Sequence, residues 1–295
     1  MIYKSFGRTC FNIINYIILI LASLTCILPF VHILALSFSS NVAVSAGKVG
    51  LWPVDFNLNS YQFAIENGKF FRSMGISVVR TLVGTAVNMV LMIITAYPLA
   101  KSSDKLAGRN IYMAYFVVTM LIGGGLIPTY IVVARTGLLD TLWALILPGA
   151  LPVYNMVILM NFIRGIPAEL EEAAFIDGAG PIQALVRVML PVLKPGLATV
   201  GLFCIVSHWN SWFDGSIYIQ MSENYPLQTY LHTLLKSFEE IMRDAQGDME
   251  LVVQMMDVRT GRAAQLFMGA VPLMLIYPFL QKYFTKGLVL GSVKG

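Results

Sequence analysis

Charge is scarce in this sequence. Only 12% of its 295 residues are Asp, Glu, Lys or Arg, against 57% hydrophobic residues. A soluble domain carries about 25% charged residues, and half that amount does not cover a globule in water. With a mean hydropathy of +0.72, the natural solvent for the chain is a bilayer. Cysteine is sparse too. Cys10, Cys26 and Cys204 stand alone without a CxxC pair, which excludes a cysteine-based metal or redox motif and leaves small apolar helix residues. His32, His208 and His232 lie far apart without metal-ligand spacing, so packing or hydrogen bonding is expected of each. Net charge is a modest +4 with no basic run, which excludes nucleic acid as a partner. No phosphate-cradling Gly-x-x-x-x-Gly-Lys-Ser/Thr occurs. Gly47-Lys48 runs on into Val49, so the chain binds no ATP of its own. Nucleophile-elbow and zinc-protease motifs are missing as well, so no enzyme activity is expected. Internal repeats and low-complexity stretches are absent, and residues 1–295 read as a single membrane domain.

What the chain does have is long uncharged stretches. Windows 9–47, 81–100, 110–134, 141–163, 195–213 and 263–281 carry no Asp, Glu, Lys or Arg. A spanning helix needs about 20 mostly apolar residues, and lipid demands that backbone polar groups be satisfied within the segment. The expectation is an all-α integral membrane protein with six transmembrane helices, at about 12–36, 78–100, 111–133, 141–163, 192–213 and 264–281. A β-barrel would show alternating segments of about 10 residues, which are not present. The apolar stretch Phe11–Phe38 is far longer than the core of a signal peptide, about 7–15 residues, and reads as an uncleaved first span. The windows hold no acid or base of the kind that ion-coupled carriers keep in the membrane. That argues against a stand-alone channel or ion-coupled carrier.

Six spans put both termini on one side. Total Lys and Arg barely differ between the two sides, but short loops decide orientation. The short loop Lys101–Arg109 holds Lys101, Lys105 and Arg109 against Asp104 alone, and the tail from Lys282 is basic. Both termini are therefore expected in the cytoplasm. The outer segments become 39–71, a loop with short helical turns, and 214–262. The latter is acid-rich and helical over Leu227–Met256, with a break at Gly247.

The loop 164–190 is the most structured of the connections. It contains Gly165-Ile-Pro-Ala-Glu-Leu-Glu-Glu-Ala-Ala-Phe-Ile-Asp-Gly-Ala-Gly-Pro181. Pro167 suits a first helical turn, and Glu169, Glu171 and Glu172 crowd the positive end of the helix dipole. Gly178 stops the helix and Pro181 starts the next. Leu170, Ala173, Ala174 and Asp177 share one face. Such a helix is too short and too charged to span, and is expected to lie along the membrane and offer a knob to another protein.

Glu172-Ala173-Ala174, Gly178, Val188 and Leu190-Pro191 resemble the EAA-loop signature of ATP-binding-cassette (ABC) importer permeases. The run through Asp177-Gly178-Ala179 to Leu190-Pro-Val-Leu-Lys-Pro195 is similar to the carbohydrate branch, relatives of the maltose permeases. The tail Gly287–Gly295 and Trp209-Asn210-Ser-Trp212-Phe213 share that likeness. The acidic insertion before span six resembles the oligosaccharide and polysaccharide-fragment uptake subgroup. The resemblance covers nearly the whole chain and implies a type I importer permease in the plasma membrane of a prokaryote. On it, loop 164–190 forms a coupling helix in a cleft of a cytoplasmic ATPase, with Glu172, Ala173, Ala174, Asp177, Gly178, Leu190 and Pro191 as the coupling residues. Glu172 meets a cation on the ATPase or caps its own helix, and Lys294 and Gly295 add a contact at the tail. Implied partners are a second, homologous permease, two ATP-binding subunits, an extracytoplasmic solute-binding protein and an oligosaccharide. No cofactor is expected on this chain; ATP and Mg serve the ATPase. Peptide, amino acid or glycerol phosphate remains the alternative cargo.

For the pathway, polar and aromatic residues inside the spans are candidates: Asn88, Tyr130, Asn155, Asn161, Trp209, Asn210 and Trp212. Amides and indoles suit sugar hydroxyls and apolar faces. Interhelical hydrogen bonding and an interfacial aromatic belt compete as explanations. Gly123-Gly124-Gly125 with Pro128 is a kink or a close-packing site, packing being the default.

Overall fold

The computed structural model of the protein describes residues 6–66, 68–244, 260–276 and 278, and every regular element among them is a helix. Helices are α1 Phe6–Ser37, α2 Asn41–Ser45, α3 Asn59–Glu66, α4 Gly68–Ala100, α5 Arg109–Leu121, α6 Leu126–Arg135, α7 Val153–Arg164 and α8 Ala168–Ile176. They continue as α9 Pro181–Val192, α10 Lys194–Asn210, α11 Phe213–Tyr218, α12 Leu227–Asp244 and α13 Thr260–Ile276. The predicted tail contacts Lys294 and Gly295, and the predicted break at Gly247, lie outside the described residues.

Two helices, Gly7–Ser37 and Gly68–Ala100, are continuous, long and apolar enough to cross a membrane. Three further apolar stretches are bent pairs. Arg109–Leu121 and Leu126–Arg135 meet at 109°, Leu142–Gly149 and Val153–Arg164 at 53°, and Pro181–Val192 and Lys194–Asn210 at 83°. Thr260–Ile276 is a shorter apolar helix. The breaks have local causes. Gly125 sits at φ +85° between α5 and α6, and no atom lies within 4 Å of a Cβ built on Gly123 or Gly124. The triple glycine is therefore a bend, and close packing is not its role. Pro148 and Pro152 interrupt the second pair, where each removes a backbone donor. Ahead of Pro191 the helix widens into a π turn over Ala184–Met189, a usual response to a lost helical hydrogen bond.

The chain divides into two compact units. One comprises residues up to Phe71 and Thr233–Val271. In it α1 is exposed along most of its apolar length and buries only its last turns, at Ala35 and Ser37. There the chain knots on itself. Phe38 stacks with Phe56 and Tyr61, Ser39 Oγ accepts the Val54 N–H at 3.0 Å, and Ser37 Oγ meets the Tyr61 hydroxyl at 2.9 Å. His32 Nδ1 donates to the Gly50 carbonyl at 2.7 Å, the structural role expected of a lone histidine.

The second unit holds Arg72–His232. Its core is Met92, Ala96, Tyr97 and Leu99 of α4, Met156, Leu159, Met160 and Ile163 of α7, Met189 of α9, Leu193 at the joint between α9 and α10, and Val200 and Cys204 of α10. Glycine lets the helices approach. A Cβ on Gly84 would lie 2.5 Å from His208 Nε2, and one on Gly196 would lie 2.7 Å from the Phe162 ring. α4 starts ten residues before the expected span, with exposed Lys69 and Arg72 on its first turns.

Candidate functional site

α8 is the helix expected in loop 164–190. Pro167 (φ −55°, ψ 132°) stands one residue before it as the N-cap, not in its first turn. Gly178 adopts φ +83°, a conformation cheap only for glycine. This lets the Ala179 N–H reach back to the Ala174 carbonyl at 2.9 Å. Pro181 opens α9 as expected.

α8 buries only two of its residues. Of Leu170, Ala173, Ala174 and Asp177, only Ala174 is buried; the second buried residue is Glu171. Its carboxylate accepts from the Tyr97 hydroxyl and pairs with the Lys101 ammonium, both at the end of α4. Lys101 also lies 4.2 Å over the Tyr97 ring. Burial works against the charged form of Glu171. The Lys101 and Tyr97 hydrogen bonds outweigh it and hold the carboxyl below its ordinary value. Arg109 Nε and Arg164 Nη2 both donate to the Leu99 carbonyl, at 2.9 and 3.5 Å. They bring positive charge to the negative end of α4. Glu172, by contrast, is exposed, and its pair with Lys105 at 3.5 Å is exposed too. Leu170, Ala173, Phe175, Ile176 and Asp177 face outward, with Ile176 86% exposed. Leu190 is half-buried beside the core and Pro191 is exposed. The result is a short helix fixed on one face and bare on the other. Glu171 escaped the sequence reading because three neighbouring glutamates look alike until one finds Tyr97 and Lys101 in space.

A cavity of about 420 Å³ opens between α4, α7, α10 and α11, lined by Asn88, Asn155, Arg80, Asp214, His208 and Ser207 among others. Of the pathway candidates it therefore gathers Asn88 and Asn155. Tyr130 stacks on Tyr218, a lining residue, at 6.4 Å. Trp209 is buried away from the cavity lining, so an aromatic belt does not describe it. Trp212 stacks on His232 at 3.8 Å, and Asn210 and Asn161 are exposed.

Arg80, Asp214 and His208 are the lining residues that sequence reasoning missed. The expectation of spans free of charge is corrected here, because Arg80 lies inside the span expected at 78–100 and is 2% exposed. It survives burial through Asp214, which grips Nη1 at 3.2 Å and also bonds Nη2. Its other acceptors are the Ser211 and Leu145 carbonyls, at 3.3 and 3.4 Å. The partner stands 134 residues away, too far for any spacing rule. His208 Nε2 donates to Asn88 Oδ1 at 3.3 Å. Among the described residues no cluster of three His, Cys, Asp or Glu side chains could hold a metal.

No protein-family model matches the chain. Individual proteins do. It is 38% identical over 97% of its length to the polygalacturonan/rhamnogalacturonan transport system permease protein YtcP of Bacillus subtilis (strain 168), covering 98% of that protein. It is 40% identical to protein LplC of the same organism, over 98% of this chain and 96% of LplC. Among solved structures it is similar to a chain of a bacterial ABC transporter involved in the import of the acidic polysaccharide alginate. That match has a TM-score of 0.84 and 29% identity, over 96% of this chain and all of the other.

Proposed function

The chain belongs to the permease subunits of carbohydrate ABC transporters, and from that premise we propose how it works within an importer. It passes an oligosaccharide, delivered by an extracytoplasmic binding protein, across the bilayer beside a second, homologous permease. Two partner ATPases drive it through α8. It carries no ATPase motif and is not itself an enzyme. Each bent pair serves as one span, and α13 supplies the sixth. Both termini and α8 face the cytoplasm, in keeping with the cations of Lys101–Arg109.

The observation that carries this reading is α8 itself. Glu171 ties it to Tyr97 and Lys101 at the end of α4, while Leu170, Phe175 and Ile176 are left exposed. A partner that grips the bare face and moves it drags the end of α4, because packed helices move as rigid pieces. Closure of an ATPase dimer on ATP would supply such a displacement, since a ligand shifts an equilibrium by its differential affinity for the two states. The names of YtcP and of the alginate transporter favour a saccharide cargo over a peptide. The test is to assemble the complete importer in liposomes and add its binding protein with oligosaccharides or with peptides. Oligosaccharide-stimulated ATP hydrolysis is expected. Stimulation by peptides alone would overturn the reading.

A further inference from the structure

A second cavity, of about 240 Å³, lies where the start of α8 meets the ends of α4 and α7. Among the described residues its lining carries three cations, Lys101, Lys105 and Arg164, against one carboxylate, Glu171. Lys101 is neutralised by Glu171, so the excess charge rests on Lys105 and Arg164. Both are accessible: the Lys105 side chain is 55% exposed, and Arg164 is exposed too. The acid that Lys105 meets, Glu172 at 3.5 Å, lies outside the lining, and the pair is open to water, which screens it. Arg164 Nη2 donates to the Leu99 carbonyl at 3.5 Å. A carbonyl takes up one of the five N–H donors of a guanidinium and does not cancel its charge. Asp104 and Glu169, the other acids nearby in sequence, are exposed and line no part of the cavity.

Two uncancelled cations in one cavity are matched by an anion with several acceptor oxygens. The volume is below the roughly 300–1,000 Å³ of sites for drug-sized ligands, so the cavity admits one compact group. The rest of its wall is largely apolar, with Ile163, Ile166 and Met189. α9, which supplies Met189, also leaves Ile182 and Val186 exposed, at 77% and 53%. The uncharged stretch 81–100 of the membrane-crossing α4 ends at Lys101, so the cavity stands at the level of the lipid headgroups. Basic pockets between membrane helices take anionic headgroups. We propose that this cavity is a site for the phosphate of an anionic phospholipid, held by Lys105 and Arg164, with the acyl chains lying over the exposed apolar side chains of α9. Pro167 and Ala168 form one wall, and Ala100 and Lys101 another. The headgroup therefore bridges the start of α8 and the end of α4 and steadies α8. The site needs only that α4 cross the bilayer, and it stands apart from the question of cargo.

The complete importer is placed in nanodiscs of phosphatidylcholine, alone or mixed with phosphatidylglycerol, and hydrogen exchange is followed over 168–176, each variant being compared with itself in the two lipids. Phosphatidylglycerol is expected to slow exchange there about tenfold in the wild type, as one hydrogen bond to a charged group would. Lys105→Gln and Arg164→Gln should each lose most of that slowing. Ala168→Glu adds a negative charge to the wall, removes no side-chain hydrogen bond, and should abolish it. Arg187→Gln removes an exposed cation of α9 outside the lining and should retain it. No slowing in the wild type, slowing that survives Lys105→Gln and Ala168→Glu, or an equal loss in Arg187→Gln would overturn the site. Slowing reproduced by inorganic phosphate in phosphatidylcholine alone would overturn the lipid assignment in favour of a free anion. No sugar enters these measurements, so their failure leaves the saccharide reading to its own test.

Discussion

Arg80 and Asp214 form the most consequential pair in the described chain. Removing one partner of a buried pair leaves an uncompensated charge, which costs about 3–5 kcal/mol. Asp214→Ala should therefore lower the stability of the solubilised protein by that order in a denaturant titration. Arg80→Met combined with Asp214→Leu should recover most of the loss; a double variant no more stable than Asp214→Ala would argue against pairing as the cause. Gly84 offers a second residue-scale test. Its missing Cβ makes room for His208, so Gly84→Ala should destabilise by about 1–3 kcal/mol through overpacking. Adding His208→Ala should relieve that, and a thermal-shift double-mutant cycle would read the coupling. Neither pair was legible in the sequence. Arg80 falls just before an uncharged window, and His208 looked like any lone histidine in a span. Pairing across 134 residues is a property of the fold, not of the local pattern.

At the scale of elements the sequence was more informative. Lipid admits few backbone solutions, so uncharged windows translate into helices, and all six windows contain described helix. The ends of α8 were legible because Pro167, Gly178 and Pro181 act through backbone chemistry alone. Bends were harder to read. In sequence the glycines at 123–125 admit a kink or close packing alike and Pro191 reads as part of the loop signature, while the angles of 109° and 83° depend on what each half packs against. The buried face of α8 was hardest, since nine residues are too few for periodicity to single out Glu171. The contrast between two adjacent glutamates is testable. Glu171→Gln removes the charge that Lys101 faces and should reduce transport per ATP hydrolysed. Glu172→Gln disturbs only an exposed pair, worth about 0–1 kcal/mol, and should leave stability unchanged within that range. The sign with pH follows from the lowered pKa of Glu171. A carboxyl with a depressed folded pKa contributes stability that is fully present above its unfolded value and lost as pH falls through the folded value. Attachment of α8 should therefore hold at neutral pH and weaken only on acidification below the usual range near 4.5. Hydrogen exchange over 168–176 would report this, and Glu171→Gln should abolish the pH dependence.

For the whole molecule, the structure joins a helix with a bare face to a cavity along a continuous path: Glu171 to the end of α4, then along α4 past Asn88 to Arg80. Gly178 is the point at which this connection can be disturbed without touching the core, because a side chain there meets no atom within 4 Å. A β-branched residue at φ +83° nonetheless costs roughly 1–2 kcal/mol and changes how α8 is presented. The complete importer carrying Gly178→Val should assemble in liposomes and hydrolyse ATP while accumulating little oligosaccharide. Uptake per ATP equal to that of the unaltered importer would contradict a coupling role for α8.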